Sequence, residues 1–289
     1  MLNKKETGKR ILTKTGLLLV AVIISFSAFA KKDKLEKAGW KLGIQSYSFH
    51  KFTFTEAVDK TNELGLKYIE VYYGQKLGGD MEGTMDFRMD KETQKKVLKY
   101  AKSKNVKIIA SGVIICKDEA EWKQLFEFAD AMGIEIITCE PEYKHLKYVD
   151  ELANKYKIDV AIHNHPKPSN YWNPDMFMEA VDGLSSRIGA CADVGHWARM
   201  GLDPVKCLQK ISGRVKSLHY KDIMGEKPGV SERHDVIWGT GSLDMEGMLS
   251  ELKKQNFKGV FSIEYEYNWD NSVPDIKKCV SYFNEVAIK

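Results

Sequence analysis

The sequence predicts a single eight-stranded parallel α/β barrel, (β/α)8. Short runs rich in Val, Ile and aromatic residues alternate eight times with longer segments whose apolar residues recur every three or four positions. No G-x-G-x-x-G follows the first run, as an open dinucleotide-binding sheet would require, and no linker or compositional break divides the chain. Strands are expected near 42–47, 67–72, 106–114, 134–140, 158–163, 188–193, 215–219 and 259–264. Helices are expected near 54–64, 91–104, 118–132, 147–156, 175–184, 204–212, 244–255 and 275–287. Leu64-Gly65, Met132-Gly133 and Phe257-Lys258-Gly259 supply stop signals between them.

Residues 1–30 stand apart. A Lys/Arg-rich start, an apolar stretch over 16–26 and Ala28-Phe29-Ala30 before a lysine cluster have the layout of a cleavable signal peptide, leaving 31–289 as the barrel domain. The apolar stretch is shorter than the roughly 20 residues of a membrane span, so the expectation is an exported, periplasmic protein with no membrane attachment after cleavage. That segment holds five basic residues and Glu6. Without them, the 44 basic and 40 acidic side chains of the chain come into balance. A neutral body argues against nucleic acid as partner, because binding phosphates needs a basic face, and favours a small, weakly charged ligand. The five cysteines, Cys116, Cys139, Cys191, Cys207 and Cys279, are odd in number and form no C-x-x-C pair, which disfavours a disulfide framework or zinc ribbon. They read as small buried apolar residues.

Function in such a barrel sits where strands pass into the loops that follow them. Five successive strand ends here carry acids or imidazoles: C-E-P (Glu140), I-H-N-H-P (His163, His165), A-D-V-G-H-W (Asp193, His196), L-H-Y-K-D (His219, Lys221, Asp222) and I-E-Y-E (Glu264, Glu266). A single such residue is ordinarily a loop cap. Several converging in one mouth are costly in repulsion and desolvation unless a cation neutralises them. Mixed oxygen and nitrogen donors suit one divalent ion, Mn²⁺, Mg²⁺, Zn²⁺, Co²⁺ or Fe²⁺. Glu70 and His50, at the first two strand ends, are expected to line the mouth, and Lys221 either holds a substrate oxygen or pairs with Asp222. Trp172, Trp197, Trp238 and Trp269 fall in late loops, where they either stack on sugar rings or pack the loops.

In order and spacing, D-x-x-H at Asp193 and His196, H-x-K-D from His219 to Asp222, and the late Glu264 resemble the xylose-isomerase-like TIM barrels of sugar isomerases and epimerases, in particular exported bacterial sugar phosphate isomerase or epimerase-like members. W-G-T-G-S-L-D (238–244) is similar to that family's G-x-G turn. The resemblance implies one divalent metal held by Glu, Asp, His and Glu from the last four strands, with the two glutamates also moving protons. Asp193, His219 and Glu264 match this set. The fifth strand offers His163 where the family usually has Glu, so the fourth ligand is either Glu140, from the fourth strand, or His163. Glu140 is preferred because two carboxylates balance a 2+ ion. Glu140, Glu264 and His163 are then the candidate proton carriers, with His165, His196, Lys221, Trp197 and Glu70 toward the substrate.

The reading that follows is a metal-dependent sugar isomerase or epimerase that removes a proton next to a carbonyl. The alternatives are a lyase or hydratase acting on 3-keto-sugars or 3-keto-glycosides by β-elimination, and an exported sugar-binding protein without catalysis, for which the strand-end cluster would be superfluous. A metal-dependent phosphodiesterase would want further histidines on earlier strands and a basic groove. Neither the sugar nor the oligomeric state is legible.

Overall fold

A computed structural model describes residues 35–226 and 233–287; the proposed signal peptide lies outside these residues. Eight parallel strands close a barrel in the order β1, β10, β9, β8, β7, β6, β5, β2. These are β1 (Trp40–Gln45), β2 (Tyr68–Val71), β5 (Lys107–Ile114), β6 (Ile136–Cys139), β7 (Asp159–His163), β8 (Ile188–Asp193), β9 (Val215–Tyr220) and β10 (Gly259–Ile263). Between β2 and β5 the chain adds an antiparallel hairpin, β3 (Lys76–Gly78) with β4 (Met81–Thr84). The expected strand 42–47 is shifted toward the N-terminus, because Ser46–Phe49 turns into a short 3-10 helix.

The outer helices are α1 (Phe54–Glu63), α2 (Lys91–Ser103), α3 (Glu119–Met132), α4 (Leu146–Tyr156), α5 (Pro174–Ala180), α6 (Val194–Arg199), α7 (Pro204–Lys210), α8 (Met245–Lys254) and α9 (Val273–Val286). Their starts follow side-chain chemistry. Thr53 and Glu56 form a reciprocal capping box on α1, while Asp90 and Asp118 cap α2 and α3. The main apolar core lies between the strands and these helices. A second cluster, Ile109, Ala110, Ile136, Ala161, Cys191 and Val260, draws residues from five strands into mutual contact, which is possible only inside the barrel. This plug fills the lumen and leaves polar side chains to the C-terminal rim. All five cysteines are buried thiols.

Two elements were absent from the expectation. Hairpin β3–β4 is too short and glycine-rich to show a period. Helix α6 begins directly after the last residue of β8, which is its cap, so no loop signal precedes it. Among the described residues, no helix is long and apolar enough to cross a membrane.

The turn at 238–244 is held by one side chain. Asp222 accepts hydrogen bonds from the backbone N–H groups of Gly239 (2.9 Å), Gly241 (2.9 Å) and Leu243 (3.2 Å). Gly239 has φ +81°, and a Cβ there would strike the Tyr282 ring. The two glycines therefore serve backbone approach to a carboxyl group. Asp222→Ala leaves three N–H groups without their acceptor and should lower folding stability by about 2–4 kcal/mol, read from urea unfolding.

Candidate metal centre and active site

Four side chains from four adjacent strands converge at the rim. His163 closes β7, Asp193 closes β8, His219 lies in β9 and Glu264 follows β10. They bring one potential ligand atom each to within 4.8 Å of one another. His163 Nε2 is 3.6 Å from Asp193 Oδ2, and His219 Nδ1 is 4.0 Å from the same oxygen and 3.0 Å from Glu264 Oε2. All four residues are buried.

The surroundings commit the other atom of each of three of these groups. Asp193 caps α6, its Oδ1 accepting the His196 backbone N–H at 2.7 Å, which leaves Oδ2 for the rim. His219 directs Nε2 at Glu70 Oε1, 3.3 Å away. Glu70, fully buried, is itself fixed by the Thr138 hydroxyl (2.6 Å) and the Ser262 hydroxyl (2.5 Å). His163 directs Nδ1 at Glu140 Oε1, 3.3 Å away. Each imidazole thus has a carboxylate behind it, an arrangement that selects the tautomer whose opposite nitrogen is free. Those opposite atoms, His163 Nε2 and His219 Nδ1, together with Asp193 Oδ2, have no hydrogen-bond partner. Buried polar atoms are rarely left so, and three converging on one point fit a divalent cation. Two imidazole nitrogens and two carboxylates form a donor set for Mn²⁺, Fe²⁺, Co²⁺ or Zn²⁺.

Lys221 brings a resident positive charge. Fully buried, it places Nζ 3.1 Å from Asp193 Oδ2 and 2.7 Å from Glu264 Oε2, and it also binds Glu266. It does not pair with Asp222, whose carboxyl group is taken by the 238–244 turn. Burial would lower the Lys221 pKa, but Asp193, Glu264 and Glu266 hold it well above its ordinary value. Burial would raise Asp193 and Glu264, but Lys221 and His163 hold the first well down and His219 and Lys221 hold down the second. Burial lowers His196 to about 3, so its imidazole is neutral near neutral pH. Glu266 is raised, chiefly by burial, against the pull of Lys221.

A cavity of about 390 Å³ opens on the cluster, lined among others by Tyr47, Tyr72, Tyr73, His165, His196 and Glu264. His165 is half exposed and bonds to Glu140 through Nδ1.

Residues 58–285 match the family described as xylose isomerase-like TIM barrel. The chain belongs to that family. Among curated relatives, an inosose isomerase of Halalkalibacterium halodurans is 26% identical over 231 residues, which is 69% of this chain and 78% of that protein. An inosose dehydratase of Clostridium perfringens is 25% identical over 163 residues, 52% of this chain and 48% of that one, so the match spans about half of the dehydratase. A crystal structure of a Parabacteroides distasonis protein, 36% identical, superposes with a TM-score of 0.70 over 86% of this chain and 99% of the other.

Within this xylose isomerase-like barrel the candidate residues take distinct places. Asp193, His219 and Glu264 come together as expected, and it is His163 that joins them. Glu140 stands one step back, bound by His163, by the His165 ring and backbone N–H, and by the Ser169 hydroxyl at 2.8 Å. Glu70 does not line the mouth: it faces inward behind His219, where Thr138 and Ser262 satisfy it. Trp197 is not a sugar platform, because α6 turns it into the core at 2% exposure. Trp238 is likewise buried, while Trp172 and Trp269 are half-buried. His165 and His196 do line the cavity. His50 stacks on Tyr47 at 5.0 Å between ring centres.

Several contributors were not singled out from sequence. Asn164, buried, accepts the Asp193 N–H (2.8 Å) and donates to the Asp193 carbonyl (3.0 Å), locking the ends of β7 and β8 together. Its place inside I-H-N-H-P was the available signal. Thr138, Ser262 and Ser169 carried none, since a hydroxyl that orients a carboxylate has no sequence signature.

This geometry separates the two fourth-ligand options. His163→Gln, Asp193→Ala and His219→Ala should empty the site, whereas Glu140→Gln and Glu70→Gln should keep it but weaken affinity by roughly 10–100-fold. Elemental analysis and metal titration of the purified variants read the difference; an empty site in Glu140→Gln at saturating metal would contradict the assignment. Burial would lower the imidazole pKa values, but Asp193 and Glu140 raise that of His163, and Cys191, Glu264 and Glu70 raise that of His219. A cation must therefore displace protons, so apparent metal affinity should rise as pH rises from mildly acidic to mildly basic, measured by competition titration.

Proposed function

We propose that the protein is a divalent-metal-dependent enzyme that moves a proton at the carbon next to the carbonyl of a polyhydroxy ketone, with isomerisation or epimerisation as the outcome. The observation that carries this reading is the convergence of three buried atoms that make no hydrogen bond, His163 Nε2, Asp193 Oδ2 and His219 Nδ1, beside Glu264 at the floor of a cavity of sugar-sized scale. His163, Asp193, His219 and Glu264 would hold the ion, which when bound supplies Lewis-acid polarisation of a carbonyl oxygen and its neighbouring hydroxyl.

The chain's own groups provide the proton chemistry. Glu264 lines the cavity and is kept ionised by His219 and Lys221, so it can accept a proton. His165, three strands away around the rim, lines the same cavity with Glu140 behind it, a carboxylate-backed imidazole able to give or take a proton. Two proton carriers on separate walls suit removal at one position and return at another. Neutral His196, whose ring lines the cavity, is placed to bind a substrate hydroxyl. Lys221 holds Glu264 and Glu266 in position. The relatives named for inosose, a cyclic polyhydroxy ketone, support the substrate class, and the signal-like N-terminus supports action outside the cytoplasm.

A second reading, elimination of water, is favoured by His163. With an imidazole at the end of β7, the cluster has only one glutamate to take a proton, and half-exposed His165 is suited to protonating a departing hydroxyl. Incubation of the Mn²⁺-, Co²⁺- or Zn²⁺-loaded protein with inosose and free ketoses in D₂O tests both readings. Deuterium gain with the hydroxyl count preserved indicates isomerisation, and a conjugated enone absorbance indicates dehydration. Excess chelator should abolish either. Absence of exchange with every ketone, or full turnover in chelator, would overturn the proposal.

A further inference from the structure

The reacting cavity is not the whole of the mouth. A second cavity, about 620 Å³, adjoins it, with His196 and Glu266 lining both. Both volumes lie in the range of small-molecule sites, roughly 300–1,000 Å³. The second cavity has a different character. Its walls include Tyr267 and Trp269 from the loop after β10, and His234 and Arg233 from the segment after β9.

Tyr267 is 45% exposed, yet its ring is fixed: His234 stacks on it with centres 4.0 Å apart and planes 10° apart. Stacked on one side and exposed to solvent overall, the ring offers an aromatic platform already held in place. Trp269 is held by edge contacts to His50 (4.1 Å) and Tyr47 (5.9 Å), and Tyr47 lines the first cavity. An aromatic wall thus runs from the reacting cavity into the second. Arg233 is anchored by the carbonyls of Met224 and Ala198 and by the Ser242 hydroxyl. Rigid aromatic faces edged by fixed polar groups suit the flat apolar face and hydroxyl rim of a sugar ring.

We propose that this second cavity is a subsite for a second sugar ring, so that the substrate is a keto-glycoside of at least two rings, with the ketone-bearing ring at the metal cluster and the other ring on Tyr267 and Trp269. The inference rests on the proposed function for its reaction but not for its binding. The junction at His196 and Glu266 is where the glycosidic link would pass. A free monosaccharide would fill the first cavity and leave the aromatic platforms in water.

Two arms test it. The first compares binding of cellobiose, maltose and methyl glucoside to the metal-loaded protein by calorimetry. A disaccharide should bind at least tenfold more tightly than the methyl glycoside, and Tyr267→Ala and Trp269→Ala should each erase most of that difference. Equal affinity for one and two rings, or variants that weaken both alike, would overturn the subsite. The second compares deuterium exchange of a keto-disaccharide and of the matching free ketose. kcat/KM should favour the disaccharide, and the same variants should lower it about tenfold more for the disaccharide than for the ketose. If no ketone exchanges at all, the proposed reaction fails while the binding arm still decides the subsite. Circular dichroism of both variants excludes misfolding as the cause of lost binding.

Discussion

Glu70, Asp193, Asp235 and Glu264 are buried at or beneath one rim of the barrel, and Lys221 and two imidazoles are buried among them. Charges removed from water are tolerated only when partners replace the lost hydration. The rim meets that demand by division of labour within side chains. Asp193 gives one oxygen to the N-terminus of α6 and the other to the cluster, and His219 gives one nitrogen to Glu70 and turns the other outward. Lys221 neutralises the carboxylates on one flank, and Arg199, on the wall of the second cavity, pairs with Asp235. What remains without a hydrogen bond is a small set of ligand atoms, His163 Nε2, His219 Nδ1 and Asp193 Oδ2, aimed at one point, the condition a divalent ion satisfies.

The barrel and its rim were legible in sequence for a physical reason. Each strand is buried on both faces and reads as an apolar run, so a polar residue such as Asp193 or His219 at its end is conspicuous. β8 was placed at its observed bounds, 188–193, because Asp193 ends the apolar run sharply. Helix α6 was not, since its first residue follows the strand directly and its cap is the same Asp193 that supplies a cluster oxygen. The D-x-x-H spacing therefore carries the cap itself: the aspartate accepts, and the backbone N–H three residues on, belonging to His196, donates to it. Contacts across the barrel, such as Glu70 with His219, were not legible. They join residues 149 positions apart and depend on which face of β2 turns inward.

Charge counting favours Glu140 over His163 as the fourth ligand, whereas the geometry brings His163 to the cluster and sets Glu140 behind it. The count treated the carboxylate and the imidazole as competitors for one position. In the folded chain they are in series, with Glu140 binding His163 Nδ1 so that Nε2 faces the cluster. Negative charge reaches the site through the imidazole, which becomes a stronger donor for being hydrogen-bonded to a carboxylate. Glu70 and His219 repeat the design on the next strand but one.

Setting Glu140 back also changes what the cavity can do. A carboxylate at the end of β7 would be both ligand and base, facing Glu264 across the cluster. An imidazole there, with a nitrogen committed to each side, can do neither proton task once it ligates a metal. In the proposed reaction the proton carrier on that wall is then the other group that Glu140 binds, His165, which lies nearer solvent. Reaction at a second position of the substrate is thereby displaced outward, toward the entrance that the cavity shares with its neighbour through His196 and Glu266. A small closed ketose offers little to a group so placed, whereas a substituent projecting from the reacting ring brings an oxygen to it. In the proposed reading, His163 at the end of β7 and the aromatic cavity beyond His196 fit one arrangement, in which the chemistry would extend from the metal cluster toward the rim.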